Sequence, residues 1–122
     1  MSNNIIVFSV FFLLFGCQVN NRHVKILPPE MFKNQITDPS VQLIDVRTAN
    51  EFKSGHIKSA TNIDYYSSNF SNQMSKLNKE KPVYIYCRSG NRSIKAANLL
   101  AKLGFTEIYD LEGGFLNWEN NE

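Results

Sequence analysis

Pro82-Val83-Tyr84-Ile85-Tyr86-Cys87-Arg88-Ser89-Gly90-Asn91-Arg92-Ser93 is the stretch that decides the fold. Pro82 to Tyr86 is the most β-prone segment in the chain, rich in aromatic and β-branched residues. Cys87 to Arg92 is a short polar loop containing one glycine. Ser93 to Leu103 reads as an amphipathic helix with Ile94, Ala97, Leu100 and Ala101 inward, and Gly104 as its stop. Strand, loop and helix follow without a gap, which is the βα unit of a parallel sheet. In such sheets the carboxyl ends of the strands form the functional edge, and Cys87 stands there.

The same alternation extends to both sides. His23 to Leu27 predicts a short strand, followed by a helix in which Pro28-Pro29 precedes Glu30, Met31, Phe32 and Ile36. Val41 to Val46 is a compact β-rich run that delivers Asp45 and Arg47 at its end. Thr48-Ala49-Asn50-Glu51 has the pattern of a capping box, in which the first and last side chains satisfy each other's backbone amides. Ala60 to Ile63 predicts a further strand, and Ser67 to Leu77 a helix with Phe70, Met74 and Leu77 on one face. Glu107 to Leu111 is the last strand, and Gly113-Gly114 turns the chain into a segment carrying Phe115, Leu116 and Trp118. Strands alternating with helices at this rhythm call for an α/β domain with a mostly parallel sheet covered on both faces.

Length and composition agree with one compact domain: 122 residues, 43% hydrophobic and 20% charged, as in ordinary globular chains. The net charge is only +2 and the charges are dispersed, so there is no electrostatic footprint for nucleic acid. All the charged residues follow Cys17. Ile5 to Phe15 is an uncharged apolar run, too short to span a bilayer and of the length of a signal-peptide core. It closes on Leu14-Phe15-Gly16-Cys17, which resembles a bacterial lipoprotein signal. That resemblance implies removal of residues 1–16, lipid on Cys17, a flexible tether over 17–22, and a domain over 23–122 anchored by its lipid to the bacterial cell envelope, facing the periplasm or the exterior. No Lys or Arg precedes the run, and Phe15 is bulkier than that pattern usually carries. A simple secretory signal or a buried N-terminal helix are the alternatives.

The loop after Pro82–Tyr86 carries the chemistry. Amides of a tight turn curling toward the thiol, with a helix N-terminus behind them, form a nest for an anion. A positive field of this kind favours the thiolate, the reactive form of any cysteine. Arg88 and Arg92 add permanent charge and planar donor forks suited to an oxyanion. A thiol so placed is expected to be exposed and reactive, in contrast to the buried structural role that is the usual fate of a free cysteine.

Cys87-Arg88-Ser89-Gly90-Asn91-Arg92-Ser93 resembles the active-site loop of single-domain rhodaneses, sulfurtransferases that carry sulfur as a cysteine persulfide. Leu43-Ile44-Asp45-Val46-Arg47, Glu51-Phe52, Gly55-His56-Ile57 and Ala60-Thr61-Asn62-Ile63 are similar to that family's N-terminal signature, and Leu111-Glu112-Gly113-Gly114-Phe115 with Trp118 to its C-terminal one. The resemblance implies a five-stranded parallel sheet with helices on both faces. It implies Cys87 as nucleophile, with Arg88, Ser89, Gly90, Asn91 and Arg92 binding the substrate and their amides cradling the outer sulfur. The partners it implies are a small sulfur-containing anion as donor and a thiol as acceptor. Asp45 and Arg47 are expected to pair locally, His56 to be a hydrogen-bonded scaffold residue, Gly113-Gly114 a tight turn, and Trp118 core or pocket rim.

No metal or organic cofactor is expected, because His23 and His56 are isolated and the two cysteines lack the paired spacing of zinc sites. Two rivals stand beside sulfur transfer. A phosphatase or arsenate reductase also presents a cysteine in an anion-binding loop, but its signature has five residues between Cys and Arg, whereas Cys87 and Arg92 enclose four. The other rival is a module that uses the fold to dock a partner or sense sulfide without turnover.

Overall fold

The computed structural model describes residues 21–121. The expected signal peptide over 1–16, the lipidated Cys17 and most of the tether lie outside the described residues. Asn21 and Arg22, expected in the tether, instead form a turn that leads into the first strand. The His23 amide donates to Asn21 Oδ1 (3.0 Å) and the Val24 amide to the Asn21 carbonyl (3.0 Å).

Five strands and five helices alternate: β1 (Val24–Leu27), α1 (Pro29–Gln35), β2 (Gln42–Asp45), α2 (Ala49–Ser54), β3 (Thr61–Asn62), α3 (Phe70–Ser75), β4 (Val83–Tyr86), α4 (Asn91–Lys102), β5 (Ile108–Leu111) and α5 (Gly114–Asn120). The strands form one sheet in the order β1-β5-β4-β2-β3, and every pairing is parallel. β4 is apolar and buried along its whole length because it is covered on both faces, whereas the edge strands β1 and β3 expose Lys25, Ile26 and Thr61.

Side-chain alternation along the strands splits the interior in two. Val83, Ile85, Cys87, Ile44 and Ile108 face α3 and α4, where they meet Phe70, Met74, Ala96, Ala97 and Leu100. Tyr84, Tyr86, Leu43 and Leu111 face α1 and α5, where Phe32 and Trp118 cover them. Phe32 packs edge-on against both Tyr84 and Trp118. Trp118 is therefore core, one of its two expected places.

Local signals explain most element ends. The Thr48 capping box forms as the sequence predicts: the Glu51 amide donates to Thr48 Oγ1 and the Thr48 amide to Glu51 Oε1, both at 3.2 Å. The expected helix over Ser67 to Leu77 is shorter, with a turn at its start closed by the Phe70 amide on the Ser67 carbonyl. The helix expected over Ser93 to Leu103 begins two residues earlier, at Asn91. The reason is Gly90, whose φ of 108° no side-chain-bearing residue adopts comfortably and which swings the chain directly into α4. The inward face differs from expectation accordingly. Ser93, Ala96, Ala97 and Leu100 are buried, while Ile94 is half-buried, because the first inward position of α4 is taken by a hydroxyl that Cys87 uses.

Candidate active site

Cys87 follows β4 directly and its side chain continues the α4-facing row. The residue is 1% exposed, which corrects the expectation of an exposed thiol. The crest of the loop lies over it, with Arg88 and Ser89 outermost, and Ser93 closes it from the helix side. The Gly90 amide donates to Cys87 Sγ at 3.0 Å. The thiol in turn faces Ser93 Oγ at 3.3 Å, and Ser93 Oγ lies 3.3 Å from the Gly90 carbonyl. Of the loop amides, that of Gly90 reaches the thiol sulfur itself.

The floor of the loop comes from the far end of the chain. The Phe115 amide donates to the Cys87 carbonyl (2.8 Å) and the Leu116 amide to the Arg88 carbonyl (3.1 Å). The approach is so close that a Cβ on Gly114 would sit 2.5 Å from the Arg88 carbonyl carbon and oxygen. Gly113 and Gly114 both have positive φ, 71° and 63°, so the expected tight turn is also the docking piece for the loop.

The predicted site residues divide by exposure. Arg88, Ser89 and Asn91 are exposed, and Gly90 and Arg92 are half-buried. Arg92 does not point free toward the mouth: its Nη1 and Nη2 lie 2.7 and 3.0 Å from the two oxygens of Glu51. That guanidinium, with desolvation opposing and the Thr48 amide assisting, holds the Glu51 carboxyl at about 2, well below the usual carboxylate range. A cleft of about 250 Å³ opens beside the loop between Arg47, Glu51, Gly55, Arg88, Phe115 and Leu116.

Behind the cleft Asp45 and Arg47 pair locally, as expected, and are almost fully buried. Arg47 Nε and Nη2 reach the carboxylate at 3.0 and 2.7 Å, and Nη2 also donates to the Gly55 carbonyl at 2.6 Å. The guanidinium stacks 4.3 Å from the Phe115 ring centroid, linking this pair to the floor of the loop. His56 is a scaffold residue, with Nδ1 2.8 Å from the Phe52 carbonyl and its ring stacked on Phe52.

Three participants were not singled out from sequence for what they do here: the Ser93 side chain, Glu51 as partner of Arg92, and Asp110. Asp110 belongs to β5, is 2% exposed, and its Oδ1 is buried with no hydrogen-bond partner. Burial pushes its carboxyl up to about 7, with the Ser93 hydroxyl and the Leu111 amide pulling the other way. An acidic residue at a sheet-facing position within Ile108-Tyr109-Asp110-Leu111 was the available signal.

Comparison with known proteins places this geometry. Residues 28–121 match the model of the rhodanese-like domain. The chain is 41% identical to the protein YqhL of Bacillus subtilis, over 97% of this chain and 94% of that one. It is 35% identical to the thiosulfate sulfurtransferase GlpE of Shewanella oneidensis, over 65% of this chain and 76% of the relative. It is also 33% identical to part of the tRNA uridine(34) hydroxylase of Pelagibacter ubique, covering 83% of this chain but 33% of that protein. Among solved structures, a rhodanese-related protein from Thermoplasma volcanium superposes with a TM-score of 0.70 at 28% identity, covering 80% of this chain and 92% of that one.

Proposed function

The chain belongs to the rhodanese-like domain family, and from that premise we propose that it is a sulfurtransferase working through a persulfide on Cys87. The observation that carries the reading is the Gly90 amide 3.0 Å from Cys87 Sγ at the junction of β4 and α4. A donor such as thiosulfate brings its outer sulfur to the deprotonated Cys87. A new S–S bond forms, the donor's own S–S bond breaks, and sulfite leaves with the electron pair. An acceptor thiolate or cyanide then attacks the outer sulfur of the persulfide and Cys87 leaves as thiolate, so the two halves make a ping-pong cycle. Loop amides stabilise charge on the outer sulfur, and Arg88 meets the anionic donor.

The test is the mass of the purified protein after thiosulfate: one added sulfur atom, absent in Cys87→Ser. Cys87→Ser should lose transfer to cyanide while unfolding like the parent, since oxygen replaces sulfur at nearly the same size. No sulfur uptake by the parent favours a non-catalytic binding module. Bound phosphate chemistry is disfavoured by a loop that encloses four residues between Cys87 and Arg92.

We also propose that residues 1–16 are removed and that Cys17 carries lipid, tying the domain to a membrane of the cell envelope. The uncharged run Ile5 to Phe15 ending at Gly16-Cys17 supports this. Cys87 is then the only thiol of the mature chain and needs its persulfide or a reductant for protection in an oxidising compartment. Blocking lipoprotein processing should change the protein's size and membrane association, and a Cys17 to Cys87 disulfide in membrane-derived protein would refute the proposal.

A further inference from the structure

We propose that the amino edge of the sheet is a membrane-contact face, which rests on an anionic phospholipid surface and turns the Cys87 edge away from it. The proposal rests on the reading of Cys17 as the lipidated residue, while the face itself is read from the described residues. Every strand pairing is parallel. The turns that lead into the strands therefore gather at one edge, and those that follow them, Cys87 to Gly90 included, at the other. Charge divides along the same axis. The amino edge carries Arg22, Lys58, Lys76, Lys79, Lys81 and Lys102, all exposed, against the exposed acids Asp38, Glu80 and Glu107. Six cations against three acids leave that edge positive. At the carboxyl edge the balance reverses. Arg47 is paired with Asp45 and Arg92 with Glu51, and Glu30, Asp64, Glu112 and Glu119 stand against Arg88.

The cations share one surface because the turns that bear them are tied side by side. The Ile108 amide donates to the His23 carbonyl at 3.0 Å and the Val83 amide to the Glu107 carbonyl at 2.9 Å, so the entries to β1, β5 and β4 lie next to one another. The turn holding Lys76 to Lys81 is bound to the start of β2 by Gln42. Its side-chain amide donates to the Asn78 carbonyl at 2.9 Å, and the Asn78 amide donates to Gln42 Oε1 at 2.7 Å. Lys79 in turn lies along the end of α4, where a Cβ on Gly104 would sit 3.8 Å from its Cδ and 4.0 Å from its Nζ. That contact brings it to the turn entered by Lys102. Like charges held on one face repel, and an anionic bilayer attracts each Lys and Arg brought to its surface.

The chain that precedes the described residues leaves from the same edge. Asn21 leads directly into β1, its carbonyl accepting from the Val24 amide at 3.0 Å. Cys17 stands four positions before it, and four residues fully extended reach at most about 14 Å. The four-residue strands alone span about 13 Å, and turns at both ends thicken the domain further. A lipid on Cys17 therefore lets the amino edge rest on the bilayer and holds the carboxyl edge off it. The molecule that meets Cys87 then comes from the side away from the membrane.

Lysine protection tests the face. Full-length protein recovered from membranes is bound to vesicles of phosphatidylglycerol and phosphatidylcholine in equal parts, or of phosphatidylcholine alone. Its lysines are then briefly acetylated and read by mass. Lys76, Lys79, Lys81 and Lys102 should react roughly threefold or more slowly on the anionic vesicles than on the neutral ones. Lys95, in the half of α4 toward the carboxyl edge, should react equally on both. Salt at about 0.5 M, which shortens the Debye length to about 4 Å, should erase the difference. Replacing the three turn lysines together, Lys76→Glu, Lys79→Glu and Lys81→Glu, should release Lys102 from protection with an unfolding midpoint like the parent's. The parent measurement stands without that variant. Equal rates on the two vesicles, or protection that reaches Lys95 as strongly, overturns the proposal. So does stronger protection by soluble polyglutamate than by the anionic vesicles, which would assign the face to an acidic protein. Lipidation is read separately, from the mass of the recovered chain. A Cys17 without lipid sinks that reading, and the preference of the same four lysines for anionic vesicles still decides for or against the face.

Discussion

Arg92 lays both terminal nitrogens on the carboxylate of Glu51, 41 positions away in the chain. The same Glu51 oxygen that takes Nη1 at 2.7 Å also receives the Thr48 amide and hydroxyl. One carboxylate thus caps α2 and holds the first turn of α4, so the guanidinium fixes the shape of the loop more than it offers charge to an incoming anion.

The two arginines should separate by kinetics. Arg88 is exposed and takes part in no ion pair among the described residues. Arg88→Ala should raise the thiosulfate KM roughly tenfold to a hundredfold, the loss of one charge-assisted hydrogen bond of about 1.5–3 kcal/mol. Arg92→Ala should change the KM less and cost about 1 kcal/mol of stability. The reverse order in steady-state kinetics and urea unfolding would show Arg92 to be the donor contact.

Glu51 should shape the acid limb of stability. Its carboxyl is held at about 2 in the fold against an ordinary 4.5, chiefly by Arg92. A depressed carboxyl contributes stability that is complete above its unfolded value and lost as pH falls through the folded one. Urea midpoints of the parent should therefore drop between pH 4.5 and 2 by more than those of Glu51→Gln, with the gap closing at the acid end.

Asp110 carries the opposite sign. Its folded value of about 7 lies above the ordinary 3.8, so the favourable contribution is complete below 3.8 and is lost as pH rises toward 7. Asp110→Asn should match the parent near pH 4 and exceed it at pH 8, by roughly a few kcal/mol for a buried group so displaced. Equal unfolding midpoints at pH 8 would show that the carboxyl is solvated.

Gly114→Ala should damage the loop from outside it. The added methyl meets the Arg88 carbonyl at 2.5 Å and the Cys87 carbonyl at 2.6 Å, at a φ of 63°. A left-handed residue costs about 1–3 kcal/mol, and the clash adds to it by breaking the amide bonds from Phe115 and Leu116. The variant should unfold well below the parent in a thermal scan and take up sulfur slowly even where folded.

Much of the architecture was legible locally. The β-prone Val83–Tyr86 run, the Thr48 to Glu51 box and the stop at Gly104 each depend on neighbours within a few positions, and each appears where its pattern stands. The loop was legible for the same reason, since Cys87 through Ser93 are contiguous. What escaped was set by distance. The Glu51 to Arg92 pair and the Gly114 contact with Arg88 join residues that become neighbours only when parallel strands stack. Cys87 is buried because its side chain joins the core beneath α3 and α4 and Ser93 closes over it, a packing that no pattern around Cys87 reports. Asp110 was passed over because an acid inside a strand carries no local sign of whether it is buried, and its burial is set by β1, β4 and α4 packing around β5.

The position of β5 between β1 and β4 has a consequence for how the protein is made. Val24 of β1 pairs with Ile108, and β5 lies between β1 and β4 in the sheet. During synthesis, β2, β3 and β4 emerge able to pair with one another, while β1 waits with no strand beside it until β5 leaves the ribosome. The site's floor arrives later still, with Phe115 and Leu116. Long-range parallel pairing is slow because loop closure precedes its reward, so the final few residues convert an open half-sheet into a closed domain. A nascent chain released before Ile108 therefore carries Cys87 without its floor, and β1 without a neighbour: an exposed edge for aggregation and for proteolysis to act upon.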